Sequence, residues 1–280
     1  MKKIAIQGIR GSFHDIAAHQ YFPHEELNLI CCDTFEEIFE HIKQDNRVIG
    51  FMAIENTIAG SLLHNYELLR ESGCTIAGEQ KLRISHSFLC LPEDDWDSLT
   101  EVNSHPVALA QCRNFLNAHS RLKIVETDDT AKSAAIIKEN HLRGHAAICS
   151  KDAAELYGMK ILAEGIETNK HNFTRFLIVA DPWMTDDLRD RSGVNKANIV
   201  FALPHTEGSL SQVLSIFSFY RISLTKIQSL PIIGREWEYL FYVDVIFHDY
   251  LRYRQSIDAV TPLTKELKIL GEYEEGKSIL

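Results

Sequence analysis

Residues 172–176 (Asn-Phe-Thr-Arg-Phe) bring an amide, a hydroxyl and a guanidinium together at the start of an apolar segment. The apolar residues 176–180 predict a strand. Thr174 and Arg175 are adjacent, so their side chains would face opposite sides of an extended strand. Both would serve one ligand only where the end of the strand opens into a cleft. Taken alone, the same run is also typical of an edge strand with an exposed arginine.

Two polar residues follow a second apolar segment. Residues 48–53 predict a strand, Glu55 and Asn56 come just after it, and a helical pattern begins at about Leu62. Open α/β sheets bind their ligands where strands end in polar residues ahead of a helix. The sequence therefore predicts that Glu55 and Asn56 lie at a ligand site.

A third polar segment, Ser104-His105-Pro106, predicts the start of a helix that runs to Ala118. Ser104 is a suitable N-cap and Pro106 a suitable first helical residue. Gln111 then lies about one to two turns inside the helix. His105 is either a local hydrogen-bonding residue or, because histidine titrates near neutral pH, a proton donor.

Together with the opening loop at residues 8–14 (Gly-Ile-Arg-Gly-Ser-Phe-His), these segments resemble the prephenate dehydratase family in order and spacing, over nearly the whole chain. The resemblance implies a carbon–oxygen lyase that converts prephenate to phenylpyruvate in phenylalanine biosynthesis, and it implies no cofactor. It also implies roles for the polar residues named above. The catalytic candidates are Thr174, Asn56, Gln111 and Glu55, and the substrate-binding candidates are Arg175, Ser104, Phe176 and His105.

The reaction expels the ring hydroxyl and one carboxylate as carbon dioxide while the ring becomes aromatic. The resemblance puts Thr174 at the leaving hydroxyl. An alcohol is a poor general acid near neutral pH, so we expect Thr174 to donate a positioned hydrogen bond. Arg175 offers a planar fork for a substrate carboxylate. Glu55 would orient a neighbouring donor or pair with a cation, because a lone carboxylate near a dianion is unfavourable.

The remaining site candidates each have a structural alternative. Asn56 and Gln111 would orient the substrate in a water-poor cleft, or else satisfy buried backbone groups. Ser104 would contact the substrate, or else only cap its helix.

Strands and helices alternate up to about residue 182, which predicts an α/β fold with a mostly parallel sheet. The resemblance implies a two-lobed catalytic domain like that of type II periplasmic binding proteins, with a hinged cleft. We predict a catalytic domain at residues 1–182, a linker at 183–196 and a regulatory domain at 197–280. Within the catalytic domain, lobe one comprises about 1–78 and 165–182, and lobe two comprises about 79–164. The polar residues 78–81 are predicted to interrupt an extended segment where the chain crosses between lobes.

The predicted regulatory domain, residues 197–280, has the strand and helix order βαββαβ if a helix from about Ser256 to Leu270 is followed by a short strand near Tyr273. This order and the family resemblance imply a ferredoxin-like ACT regulatory domain. In the family, such domains bind phenylalanine at a dimer interface through Gly-Ala-Leu and Glu-Ser-Arg-Pro motifs. The corresponding residues here are Gly208, Ser209 and Leu210, and Gln228, Ser229, Leu230 and Pro231.

The second motif has lost a charge pair, since Gln228 stands in place of Glu and Leu230 in place of Arg. Two alternatives stay open. Phenylalanine binds as an effector, or the ACT domain only assembles the chain. In either case we expect a homodimer or homotetramer formed through ACT domains.

Bulk properties limit the partners. A formal net charge of −10 argues against nucleic acid, and no apolar run reaches the length that a bilayer requires. The six cysteines show no Cys-x-x-Cys spacing, which favours free thiols. The first residues predict a strand rather than a signal peptide. We therefore expect a cytoplasmic protein without nucleic-acid or membrane partners, and we find no metal-ligand motif such as His-Glu-x-x-His.

Two other functions fit the same sequence. Arogenate dehydratase acts on the amino analogue of prephenate, and replacing a keto group by an ammonium changes few contacts. A non-catalytic amino-acid or organic-acid sensor also needs a two-lobed cleft and an ACT domain.

Overall fold

Strands and helices alternate along most of the chain, as the sequence predicts. The computed structural model describes residues 1–188, 193–236 and 238–276. They form two units. The first comprises Met1–Leu62 and Gln80–Phe176, and the second comprises Leu63–Glu79 and Leu177–Lys277. The predicted domain boundaries stay a prediction, and residues 189–192 of the predicted linker lie outside the described residues.

The strands of the first part of the chain are β1 (Lys2–Gln7), β2 (Leu27–Cys32), β3 (Val48–Asn56), β4 (Gly60–Ser61), β5 (Thr75–Arg83), β6 (Ser87–Cys90), β7 (Glu101–Ser104), β8 (Lys123–Glu126), β9 (His145–Cys149), β10 (Lys160–Glu164) and β11 (Phe173–Ala180). The helices are α1 (Phe13–Tyr21), α2 (Phe35–Gln44), α3 (Leu63–Ser72), α4 (Pro106–Gln111), α5 (Arg113–Ala118), α6 (Thr130–Glu139), α7 (Lys151–Tyr157) and α8 (Pro182–Leu188). The boundary between the units falls inside β5 and β11.

The first unit contains two groups of paired strands. In one, β1 pairs in parallel with both β2 and β3. In the other, the order is β10-β6-β9-β7-β8, with β7 parallel to both β8 and β9 and with antiparallel pairs at β6. Apolar side chains from β6 and β9 pack against α4 and α5 on one face and against α6 and α7 on the other. Each parallel group presents the carboxyl ends of its strands along one edge, which is where a ligand site is expected.

The predicted helix 106–118 is wrong in one respect, because the structure has two helices instead of one. Cys112, which lies between them, leaves the helical conformation with φ −98° and ψ 18°. The predicted N-cap is also wrong. His105 caps α4 by accepting a hydrogen bond from the Val107 N–H, whereas Ser104 ends β7 and donates its hydroxyl to the Ile148 carbonyl.

The interruption predicted at residues 78–81 is wrong as well, because β5 runs through it without a break. Glu79 is fully buried there and accepts two hydrogen bonds of 2.9 Å from the ammonium of Lys196. A buried carboxylate requires such a partner, so the polar residue belongs to the strand and not to a loop.

The second unit continues with β12 (Lys196–Ala202), α9 (Ser209–Phe219), β13 (Ser223–Pro231), β14 (Tyr239–Ile246), α10 (Tyr250–Val260) and β15 (Lys265–Tyr273). These elements follow the predicted order βαββαβ. The four strands are antiparallel in the order β13-β14-β12-β15, and both helices contribute to one apolar core with the sheet. Gly271 of β15 pairs with Ile76 at a distance that leaves no room for a Cβ atom.

The helix predicted from about Ser256 to Leu270 is wrong in its bounds. α10 begins earlier, because Asp249 accepts hydrogen bonds from the N–H groups of Leu251 and Arg252. It ends at Val260, just ahead of Pro262, whose ring cannot continue a helix. Residues 265–270 belong to strand β15 instead.

Candidate active site

The ends of β3 and β11 bring Asn56 and Thr174 together, although 118 positions separate them in the sequence. Asn56 is the last residue of β3 and Thr174 the second residue of β11. The Asn56 Nδ2 donates to Thr174 Oγ1 at 3.0 Å and to Asn172 Oδ1 at 2.8 Å. The end of β3 and the start of β11, which are predicted to carry the site, therefore meet at the side-chain amide of Asn56.

Two backbone N–H groups determine which way the Asn56 amide points. Its Oδ1 accepts hydrogen bonds from Ile58 N at 2.9 Å and Ala59 N at 2.8 Å, as the turn after β3 folds back. Only the Nδ2 is then left to face Thr174, so the Thr174 oxygen is the acceptor in that contact. The Thr174 hydroxyl proton makes no other hydrogen bond within the described part of the chain, and it is available to a ligand.

Gln111 extends the same network from α4. Its Oε1 accepts from Asn172 Nδ2 at 2.8 Å and lies 2.9 Å from His86 Nε2, while its Nε2 lies 3.5 Å from Asn56 Oδ1. Because the Gln111 oxygen faces His86, the imidazole must donate from Nε2. Burial lowers the pKa of His86, which keeps the ring neutral.

A cleft of about 480 Å³ in the first unit is lined by Asn56, Thr174, Gln111 and His86. It lies against the carboxyl ends of β1, β2 and β3 and the start of α4 and α6. Of the predicted site residues, Thr174, Asn56, Gln111, Phe176 and His105 line this cleft. Phe176 is buried and packs its ring edge-on against His14, with ring centres 4.9 Å apart.

Three predicted residues are not among the described residues that line the cleft. The Arg175 guanidinium lies 3.8 Å from the Glu55 carboxylate, and the Arg175 side chain is 11 % exposed. Ser104 is fully buried, with its hydroxyl on the Ile148 carbonyl. Arg175 and Glu55 therefore pair beside the strand end that carries Thr174, and Ser104 lies inside the fold.

Sequence reasoning gave no role to several residues of this cleft and of the amide network beside it. Asn172 lay in the predicted run, yet its part in the amide network depends on partners that are distant in sequence. His86 and Asp129 were not singled out. Asp129 follows strand β8 and caps helix α6, with its Oδ1 accepting from Lys132 N at 2.7 Å. A capping residue between a strand and a helix is the signal that would have found it.

No group of three or more His, Cys, Asp or Glu side chains is placed to hold a metal ion within residues 1–188, 193–236 and 238–276. Over the same described ranges, none of the helices is long and apolar enough to cross a membrane.

The fold and the amide-lined cleft define an α/β protein with a candidate ligand site at the ends of parallel strands. A family model described as prephenate dehydratase matches residues 4–183. The chain belongs to the prephenate dehydratase family, whose members are lyases.

Some relatives are named arogenate dehydratase and others prephenate dehydratase. Arogenate dehydratase 5 of Arabidopsis thaliana is 37% identical over 97% of this chain and 67% of its own length. The bifunctional chorismate mutase/prephenate dehydratase of Aquifex aeolicus is 32% identical over 98% of this chain and 74% of its own length. The chain thus spans about two thirds to three quarters of these relatives.

Solved structures match over nearly the whole chain. GqqA, described as a novel type of quorum-quenching acylase, has a TM-score of 0.86 and 27% identity, covering 98% of both chains. The prephenate dehydratase of Staphylococcus aureus has a TM-score of 0.82 and 25% identity, covering 98% of this chain and all of that one.

Proposed function

We propose that this chain catalyses the decarboxylating dehydration of prephenate to phenylpyruvate, or of arogenate to phenylalanine. Membership of the prephenate dehydratase family supports this reaction class. The names of the relatives support both substrates, since one is an arogenate dehydratase and another a prephenate dehydratase.

One observation carries the proposal, namely the Thr174 hydroxyl that Asn56 holds as an acceptor. Because its oxygen already receives a hydrogen bond, its proton points away from the amide and toward a ligand. The reaction requires a donor at the oxygen of the leaving hydroxide. Thr174 would stabilise the charge that develops on that oxygen as the carbon–oxygen bond breaks, and the aromatic ring that forms supplies the driving force.

The amide network would keep this donor in place during the reaction. Asn56, Asn172 and Gln111 are buried and bonded to one another, so they need no reorganisation when the substrate becomes the transition state. The neutral His86 ring completes the network without adding a charge. We propose that these groups orient the substrate and Thr174, while the carbon dioxide leaves without a cofactor.

We keep the other predicted residues in roles that their positions support. His105 and Phe176 would contact the substrate from the cleft wall. Arg175 and Glu55 would act as a pair that fixes the strand end beside Thr174. Ser104 would support the start of α4 from inside the fold.

We further propose that residues 197–280 form an ACT regulatory domain that assembles the chain into a dimer or tetramer and binds phenylalanine. The order βαββαβ and the antiparallel sheet support the domain type. Exposed large apolar side chains offer surface that assembly would bury. Among the described residues from 197 onward, the most exposed of these are Phe219, Ile233 and Leu251. The free cysteines among the described residues support a cytoplasmic location.

Substitution of Thr174 tests the catalytic proposal. Thr174→Ala should lower kcat by about 100-fold or more, because a contact with the leaving group strengthens in the transition state, while KM changes much less. Thr174→Ser should retain part of the rate, since it keeps the hydroxyl. Steady-state kinetics on both substrates measure these effects.

Thr264→Ala is the matched control, because Thr264 is half-buried and its hydroxyl donates to the Thr261 carbonyl outside the cleft. It should behave as the unmodified protein. Full turnover in Thr174→Ala would remove Thr174 from the mechanism.

A further inference from the structure

All the formally charged side chains that line the cleft, histidines aside, are acidic. They are Asp33, Glu36 and Asp129, and no lysine or arginine occurs among the described residues of the lining. A substrate with two carboxylates and no cation would enter this cleft against the local field, and also against the net charge of −10.

The histidines of the lining do not supply the missing positive charge. Burial lowers the pKa of both His14 and His86, so both rings are neutral at neutral pH. The His105 Nδ1 accepts a hydrogen bond from the Val107 N–H at 3.2 Å, and this nitrogen carries no proton in that geometry. The charge that the lining offers to a ligand is therefore negative.

The fold holds the Asp129 carboxylate in a fixed position. Its Oδ1 caps α6, and its Oδ2 lies so close to Gly8 that a Cβ there would come within 2.8 Å. Gly8 has φ +94°, a conformation that glycine adopts without strain, so the loop after β1 approaches the carboxylate with no side chain between them. Asp33 and Glu36, in contrast, are exposed at the cleft rim, with Asp33 3.7 Å from the Lys132 ammonium.

A second observation points to a ligand that donates hydrogen bonds. His86 is 2 % exposed, and its Nδ1 has no hydrogen-bond partner among the described residues. Because Nε2 is the donor to Gln111, Nδ1 is an acceptor. A buried acceptor without a partner is costly, and a bound donor would relieve that cost.

Prephenate and arogenate differ at one position, where prephenate has a keto oxygen and arogenate an ammonium. The ammonium is cationic and offers three hydrogen-bond donors, whereas the keto oxygen only accepts. A carboxylate beside this position attracts the amino substrate and leaves the keto group without a donor. The same carboxylate therefore favours binding of arogenate and disfavours binding of prephenate.

We propose that the cleft selects arogenate over prephenate, and that Asp129 is the specificity residue that pairs with the substrate ammonium. The inference rests on the proposed function and assigns its preferred substrate. The reacting end of both substrates is the same, so Thr174 and its amide network serve either one. The cleft distinguishes the two substrates only at the position that carries the keto oxygen or the ammonium.

Asp129→Asn tests the inference, because asparagine caps helices as well as aspartate does and has nearly the same size, but carries no charge. The unmodified protein should have a kcat/KM for arogenate about tenfold or more above that for prephenate. In Asp129→Asn the value for arogenate should fall by about tenfold or more, while the value for prephenate stays within about twofold or rises. Asp129→Ser, which also keeps a capping group, should repeat this result if the asparagine variant folds poorly.

Asp249→Asn is the matched control, since it makes the same change at the N-cap of α10, outside the cleft, and should leave the ratio of the two substrates within about twofold. A merely structural role for Asp129 would lower both substrates by one common factor, and that result would overturn the inference. A preference of the unmodified protein for prephenate would overturn it as well. Turnover of neither substrate would instead overturn the proposed function, and this inference with it.

Discussion

At the scale of single residues, two backbone N–H groups determine the donor that the cleft offers. Ile58 N and Ala59 N orient the Asn56 amide, and this amide leaves the Thr174 hydroxyl with a proton to donate. The family resemblance of the sequence implied Thr174, Asn56 and Gln111 as site residues, and all three line one cleft. It could not predict the direction of each amide, since that depends on contacts between distant positions.

His14 is a residue whose burial has a measurable consequence. Its ring packs between Phe35 and Phe176, and burial lowers its pKa to about 3. In the unfolded chain the pKa of histidine is about 6.5. Below that pH the unfolded state binds a proton that the folded state does not, so folding stability is present at neutral pH and is lost as the pH falls toward 3.

We therefore predict that His14→Phe reduces the loss of stability in acid. Between about pH 6 and pH 4 the free energy of unfolding of the unmodified protein should fall more steeply than that of the variant, by up to about 1.4 kcal/mol per pH unit. Urea titrations at several pH values measure the difference, and His24→Phe at an exposed position is the control. Parallel pH profiles for His14→Phe and the unmodified protein would show that His14 does not carry this dependence.

At the scale of the elements, the sequence predicted the alternation of strands and helices but misplaced several ends. The turn at Cys112 and the cap at His105 depend on local geometry that residue propensities do not distinguish. Strand β5 was expected to break because Glu79 is polar, whereas the buried pair with Lys196, 117 positions away, keeps it in the strand. The end of α10 had a local signal in Pro262, which is why that boundary was predictable in principle.

At the scale of the whole molecule, the order βαββαβ of the second unit could be predicted, because it follows from local patterns. What the second unit does depends on its ligand. The proposed effector site contains Gln228, whose side chain is half-buried in β13 and donates to the Ser229 carbonyl, and Leu230, which is buried. Neither side chain offers a charge to an amino acid.

We predict that phenylalanine inhibits this chain only weakly and that Gln228→Glu strengthens the inhibition by about threefold or more, because a carboxylate would pair with the ammonium of the ligand. Inhibition curves for turnover, measured on the oligomer, give the comparison. Gln212→Glu on the exposed face of α9 is the matched control. Equal inhibition of the two variants would show that position 228 does not contact the effector.

We propose above all that this chain converts its ligand and does not merely bind it. The most direct measurement is product analysis after the purified full chain is incubated with prephenate and, separately, with arogenate. We predict that carbon dioxide is released together with phenylpyruvate from the first and phenylalanine from the second, and that Thr174→Ala abolishes most of both. Recovery of both compounds unchanged from a protein that binds them would contradict the claim and identify a sensor instead.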